Sequence, residues 1–136
     1  MNKSSLIVIL ALTAIQAMAA RVHAGEIVVV MRSTAPALTK DQVANVYLGR
    51  NTDLNPIDLP ESNPAREAFY KKATARDLSQ VKSTWARITF TGQGQPPKEM
   101  SDAAAVKKAV AADPKAVGYI DKADVDASVK VVLTLN

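Results

Sequence analysis

The chain has 136 residues, with 17 basic and 13 acidic side chains and a formal net charge of +4. It has no cysteine, so it forms no disulfide framework and carries no lipid anchor of the kind attached through a cysteine. Its one histidine is His23. These counts leave little chemistry for a nucleophilic enzyme or a zinc site.

The first 24 residues show the pattern of a cleaved secretory signal peptide. Lys3 gives a short basic start, and residues 6–15 form an uncharged apolar run too short for a comfortable membrane span. Two small-x-small sites follow, ending at Ala19 and Ala24, and both stay open as cleavage points, with Ala24 preferred. We therefore expect a periplasmic or secreted protein without a stable membrane span; a retained anchor is the alternative.

Cleavage after Ala24 leaves 112 of the 136 residues, enough for one compact domain over residues 25–136. It also removes Lys3, Arg21 and His23, which leaves 15 lysine and arginine side chains and 13 acidic ones. No dense Lys/Arg run and no interleaved aromatic platform are present, which excludes a nucleic-acid partner. Without histidine or cysteine, the mature chain is expected to be a non-enzyme with no cofactor and no metal.

The sequence of the first half of this domain predicts a strand, a helix, a second strand and a second helix, in that order. Residues 26–31 form a nearly continuous apolar run, typical of a strand buried on both faces. A capping box predicts a helix from Thr39, and Gly49 follows it as the C′ residue. The segment "PIDLP" predicts a brief strand at or near an edge. Asn63 then suits the N-cap of a second helix, with core-facing residues Phe69 and Ala73.

The second half continues the alternation of helices and strands. A third helix begins near Asp77 or Ser79, and residues 89–100 are expected to be an exposed loop that meets a partner. A fourth helix is capped by Ser101 and ends at Asp113. Residues 116–120 and 128–135 predict two further strands. The pattern indicates an α/β fold with a mostly parallel or mixed sheet and about four helices.

The order of these motifs resembles the phosphate-binding proteins of ABC transporters, in the type II periplasmic binding protein family. The resemblance rests on "LTKDQVANVYLG", the second helix, a Trp-bearing helix, "TGQGQPP" and "DPKAVGYID". It implies a single lobe of a fold that has two lobes in full-length members. It also implies a small oxyanion such as phosphate as ligand. An ABC permease, another envelope protein or a second copy of the chain would be the partner.

One departure weakens the implied phosphate site. The family carries Ser-Gly-Thr at the start of its second helix, where this chain has Asn63, Pro64 and Ala65. The threonine hydroxyl is absent, and Pro64 has no N–H to donate. Ser62 lies one residue too early. The resemblance therefore implies the fold more strongly than it implies phosphate chemistry.

Two interpretations of residues 62–66 stay open. In the first, the N–H groups from Asn63 to Ala65, the Ser62 hydroxyl and the Arg66 charge bind an anion. The helix dipole contributes about 0.3–1 kcal/mol and the Arg66 hydrogen bond about 1.5–3 kcal/mol. A micromolar Kd needs about 8 kcal/mol, so a single lobe would bind in the millimolar range unless a partner closes the site. In the second, the segment is ordinary capping, and Arg66 pairs with Glu61 or Asp58 in solvent.

A second candidate anion site follows the first strand, at Ser33 and Thr34. Ligands of open α/β sheets favour strand ends, but this segment also fits a remnant of the crossover between two lobes. The leading prediction is an exported solute-binding-like protein with weak or partner-assisted oxyanion binding. The alternative is an envelope adaptor that contacts another protein and takes no small ligand.

Overall fold

Five strands form one mixed sheet in the computed structural model, which describes residues 25–136. The sheet order is β3-β2-β4-β1-β5, with β1 antiparallel to both neighbours and β2 parallel to both of its own. The strands are β1 (Ile27–Met31), β2 (Asn55–Asp58), β3 (Lys98–Glu99), β4 (Ala116–Asp121) and β5 (Lys130–Leu135). The predicted signal peptide lies outside the described residues.

Four α-helices connect these strands. They are α1 (Lys40–Tyr47), α2 (Pro64–Thr74), α3 (Leu78–Phe90) and α4 (Ala103–Ala112), and a short 3-10 turn follows β4 at Lys122–Asp124. The predicted capping box of α1 is present, with Thr39 and Gln42 bonding each other's backbone. Gly49 has φ 74°, the left-handed conformation expected of a C′ glycine. Local sequence signals therefore predicted both the start and the end of α1 correctly.

The helices cover both faces of the sheet. Consecutive strand residues point to opposite faces of the sheet, so the contacts at Gly118 and at Tyr119 of β4 show what packs on each face. The Tyr119 ring stacks on Phe69 of α2, with ring centroids 4.0 Å apart. A side chain at Gly118 would instead meet Val106 and Val110 of α4. Helix α2 therefore packs on one face and α4 on the other, which explains why all five residues of β1 are buried.

Four details differ from the sequence prediction. Residues Lys98–Glu99, expected in a loop, form β3 and pair in parallel with the end of β2. Helix α3 extends to Phe90, inside the predicted loop. The N-cap of α4 is Asp102 rather than Ser101, and β5 begins at Lys130 rather than 128. The loop prediction was wrong for β3 because two exposed residues carry no periodic pattern, and only pairing with a distant strand defines them.

Over residues 25–136, the structure contains no helix with the length and apolar character needed to cross a membrane. The same residues contain no cluster of three or more potential metal ligands among His, Cys, Asp and Glu.

Candidate functional site

A buried carboxylate organises the carboxyl end of β2. Asp58 is the last residue of β2 and is only 2% exposed. Its Oδ2 accepts a hydrogen bond from the Tyr70 hydroxyl at 2.6 Å, and its Oδ1 accepts one from the Leu59 N–H at 2.9 Å. The Tyr119 hydroxyl also donates to Oδ1 in a short contact. These three donors come from α2, from β4 and from the residue that follows β2, so the carboxylate links β2, β4 and α2.

The protonation states of this network follow from its burial. Burial raises the pKa of Asp58, and the hydrogen bonds from Tyr119 and Tyr70 and the nearby Arg66 charge offset only part of that rise. Burial and then the Asp58 charge raise the pKa values of Tyr70 and Tyr119 far above the ordinary tyrosine value. Both hydroxyls therefore stay protonated and keep donating, so Asp58 has little accepting capacity left for a ligand.

Arg66 lies beside this carboxylate in the first turn of α2. Its Nε is 3.8 Å from Asp58 Oδ1, while its Nη1 donates to the Leu59 carbonyl at 3.0 Å and to Glu99 Oε2 at 3.4 Å. Burial works against its charge, but Asp58 and the other neighbouring groups outweigh burial and raise the pKa of Arg66. Among the described residues, its Nε is the one buried side-chain nitrogen or oxygen that has no hydrogen-bond partner.

An open cavity of about 610 Å³ adjoins Arg66. Its polar lining comes from Asp58, Arg66, Tyr70, Lys82 and Glu99. The remaining lining is mostly apolar and is contributed by α3 and the segment before β3, namely Val81, Trp85, Ala86, Thr89, Phe90, Pro96 and Pro97. The cavity is therefore amphipathic, with a charged group at one end and a wall of aromatic, aliphatic and proline side chains.

The sheet topology explains where this cavity forms. Asp58 and Glu99 are paired residues at the carboxyl ends of the parallel strands β2 and β3. Helix α2, which follows β2, packs on one face of the sheet, and α4, which follows β3, packs on the other. A crevice opens where consecutive connections leave on opposite faces, and open α/β sheets place ligands in such crevices.

The Tyr47 hydroxyl holds β2 and β4 together beside the cavity. The parallel pairing of these strands covers Asn55–Ala116 and Pro56–Val117. Next to it, the Tyr47 hydroxyl lies 2.7 Å from the Ile57 carbonyl and 3.0 Å from the Val117 carbonyl. Tyr47 is fully buried, so its hydroxyl fixes the spacing of the strands that carry Asp58 and Tyr119.

The predicted helix start is present, but its N–H groups are already bonded. The Asn63 side chain accepts from the Ala65 N–H at 3.0 Å, and the Asn63 carbonyl accepts from the Arg66 N–H at 3.0 Å. Pro64 has no N–H, and Ser62 is exposed. An anion at this helix start would therefore have to displace the Asn63 cap, and the binding role of Ser62, Asn63 and Ala65 stays a prediction.

The structure separates the two predicted anion sites. Ser33 and Thr34 follow Met31, at the end of β1 that lies beside the first residues of β4 and β2. Arg66 lies beyond the last residue of β2, at the opposite end of the sheet. Both Ser33 and Thr34 are exposed, and their binding role also stays a prediction.

The expected solvent pairing of Arg66 is only partly confirmed. Arg66 does face Asp58, but this carboxylate is buried rather than solvated. Glu61, the other predicted partner, pairs instead with Lys82 at 2.6 Å. Tyr70 and Glu99 were not anticipated. The sequence offered one signal for Tyr70, because residues 66 and 70 are one helical turn apart and share a face.

Comparison with solved structures shows a distant and partial similarity. The fold matches an ABC-type phosphate transport receptor from Vibrio cholerae with a TM-score of 0.62 and 20% identity, over 79% of this chain and 45% of that one. It also matches a protein assigned as a phosphate ABC transporter substrate-binding protein from Clostridium perfringens, solved with bound phosphate. The TM-score is 0.63 and the identity 18%, over 79% of this chain and 44% of that one.

These matches confirm the expected α/β class: the chain corresponds to a fragment of the periplasmic binding protein fold and spans less than half the length of either receptor. At this identity the similarity establishes the fold alone. The sequence matches no protein-family model, and no curated protein aligns with it significantly.

Proposed function

We propose that residues 25–136 form one exported, solute-binding-like domain of the cell envelope, periplasmic or secreted. This domain takes a small oxyanion such as phosphate in the cavity beside Arg66. The position of that cavity carries the proposal, because it lies beyond the carboxyl ends of β2 and β3 where their connections diverge. The similarity to two phosphate receptors supports the same class of ligand.

Arg66 is the charge partner in this proposal. Asp58 and Glu99 already lie beside its guanidinium, so an incoming anion would replace Glu99, whose side chain is 56% exposed, rather than meet an uncompensated charge. One charged hydrogen bond contributes about 1.5–3 kcal/mol, whereas a micromolar Kd requires a binding free energy of roughly 8 kcal/mol. Binding is weak unless a second copy, a permease or another envelope protein covers the cavity and excludes water.

Isothermal titration calorimetry tests the proposal on protein purified after expression of the full chain. Phosphate and sulfate are titrated into the wild type, Arg66→Lys and Lys108→Gln. Arg66→Lys keeps the charge but loses the planar fork of donors, so we expect weaker heats. Lys108 is an exposed residue of α4, a helix that contributes nothing to the cavity lining, and its variant should bind like the wild type. Equal binding by all three proteins would contradict the role of Arg66.

A second candidate function is an adaptor that contacts another envelope protein without a small ligand. Phe90 favours it, because this large apolar side chain is 93% exposed at the cavity wall. A photo-crosslinking residue placed at Phe90 in intact cells should then capture one defined protein. The matched control carries the photo-crosslinking residue at position 131, where Val131 of β5 is 36% exposed. Equal labelling at both positions would count against a specific contact.

A further inference from the structure

The cavity beside Arg66 is far larger than an inorganic oxyanion requires. A water molecule occupies about 30 Å³ of liquid, so about 610 Å³ corresponds to roughly twenty such volumes. Phosphate has five non-hydrogen atoms and would fill only a small part of this space. Cavities of about 300–1,000 Å³ suit organic ligands.

The walls of the cavity favour an apolar body in the ligand. Trp85, Phe90, Pro96 and Pro97 present aromatic and proline surface to it. Phosphate gains nothing from such walls, whereas a flat hydrocarbon group covers Phe90 and removes its ring from water.

Apart from the exposed Glu99 carboxylate, which a ligand would replace, the free hydrogen-bonding capacity of the cavity is donor capacity. Asp58 already accepts from Tyr70, Tyr119 and the Leu59 N–H. Arg66 has five N–H donors, and its hydrogen bonds to Leu59 and Glu99 both use Nη1. Its Nε is buried and lies 3.8 Å from Asp58 Oδ1 without a hydrogen bond, so the guanidinium donors left for a ligand are those of Nη2. The complementary ligand group is an anionic acceptor such as a carboxylate.

We propose that the cavity takes an organic carboxylate with a flat apolar body, bound through Arg66 and packed between Trp85, Phe90 and the Pro96–Pro97 segment. This inference rests on the proposed function and names a ligand class for the same site. The carboxylate replaces Glu99 at the guanidinium, and the apolar body fills the space that phosphate leaves empty.

Trp85 provides the measurement, because it is the only tryptophan of the chain and lines the cavity. Its fluorescence and the heat of binding are followed while phenylacetate, acetate, benzyl alcohol and inorganic phosphate are titrated into protein expressed from the full chain. We expect phenylacetate to bind at least about tenfold more tightly than phosphate and acetate, and also more tightly than the uncharged benzyl alcohol.

Two surface variants separate the apolar and charged contributions without disturbing the core. Phe90→Ala should weaken phenylacetate binding about tenfold and leave phosphate unaffected, while Val131→Ala is its exposed control. Lys82→Gln should weaken both anions, whereas Lys108→Gln on α4 should weaken neither. Unchanged phenylacetate binding by Phe90→Ala, or equal binding of benzyl alcohol, would overturn the proposal.

The outcomes also separate this inference from the proposed function. If phosphate binds as tightly as phenylacetate or more tightly, the organic ligand class is refuted and oxyanion binding stands. If neither anion binds at millimolar concentration, both proposals are refuted. Tight binding of phenylacetate that is lost in Phe90→Ala supports the organic carboxylate.

Discussion

The contact between Gly118 and α4 gives a sharp test of the packing that forms the cavity. A Cβ added at Gly118 would lie 2.6 Å from Val106 Cγ1 and 3.3 Å from Val110 Cγ2. Carbon atoms pack best at about 3.5–4.0 Å, and both valines are fully buried, so neither can turn into solvent. Gly118→Ala must therefore push α4 away from β4 or distort the strand.

The expected cost follows from two opposing effects. Overpacking a rigid core costs about 1–3 kcal/mol, while replacing glycine restricts the unfolded chain and returns about 0.4–1 kcal/mol. The two ranges give a net loss between roughly 0 and 2.6 kcal/mol in the free energy of unfolding. We expect about 1–2 kcal/mol, because the 2.6 Å approach to Val106 is far inside the packing distance. For a domain near 100 residues, that corresponds to a fall of roughly 4–16 °C in Tm.

Urea denaturation followed by far-ultraviolet circular dichroism measures this loss. Gly94→Ala is the matched control, because its added Cβ would be 3.4 Å from Ile88 Cγ2, an ordinary contact, and we expect a change within about 0.5 kcal/mol. If Gly118→Ala were as stable as Gly94→Ala, α4 would not pack against β4 as described, and the explanation of the cavity by diverging connections would fail.

Three further substitutions test a buried hydroxyl, a helix cap and the buried carboxylate. Tyr47→Phe removes the hydroxyl that lies between two strand carbonyls, and urea denaturation should show a loss of about 1–3 kcal/mol; an unchanged midpoint would contradict that bond. Thr39→Ala removes the α1 cap and should cost about 1 kcal/mol by the same measurement, and no loss would mean the cap contributes nothing. For Asp58→Asn, the sign of the pH dependence is the test. Burial raises the folded-state pKa of Asp58 above its unfolded value of about 3.9, so its contribution is fully present below that value and is lost as pH rises through the folded pKa. The stability of the wild type relative to Asp58→Asn should therefore fall as pH rises above about 4 in urea titrations; a rise would show that Arg66 and the hydrogen bonds outweigh burial.

The starts of α1 and α2 could be predicted from sequence because each depends on residues close together in the chain. The pair Thr39–Gln42 lies three residues apart, and Asn63 reaches the N–H two residues on. Such local interactions define the backbone conformation of the helix start without any tertiary contact. The same holds for Gly49, where a positive φ is easily adopted only without a Cβ.

The centre of the candidate site could not be predicted in this way. Carboxylates are usually exposed, so nothing near Asp58 indicated that it would be buried. Its tyrosine donors lie 12 and 61 residues along the chain. Strand β3 places Glu99 beside Asp58, yet its two residues are too few to show a periodic pattern. Arg66 was identified, but its environment depends on these long-range contacts.

The ion pairs that line the cavity affect both the stability of the fold and the affinity of the cavity for an anion. Both lining cations already have carboxylate partners, since Arg66 faces Asp58 and Glu99, and Lys82 pairs with Glu61. A buried cation without a partner would be costly, so the pairing of Arg66, whose side chain is 14% exposed, favours folding without any ligand. The same pairing limits affinity, because a ligand anion gains only the exchange of Glu99 for its own charge. Tighter binding would need further contributions. These are hydrogen bonds to the free donors of Arg66, burial of the exposed Phe90 ring, and the exclusion of water by a partner that covers the cavity.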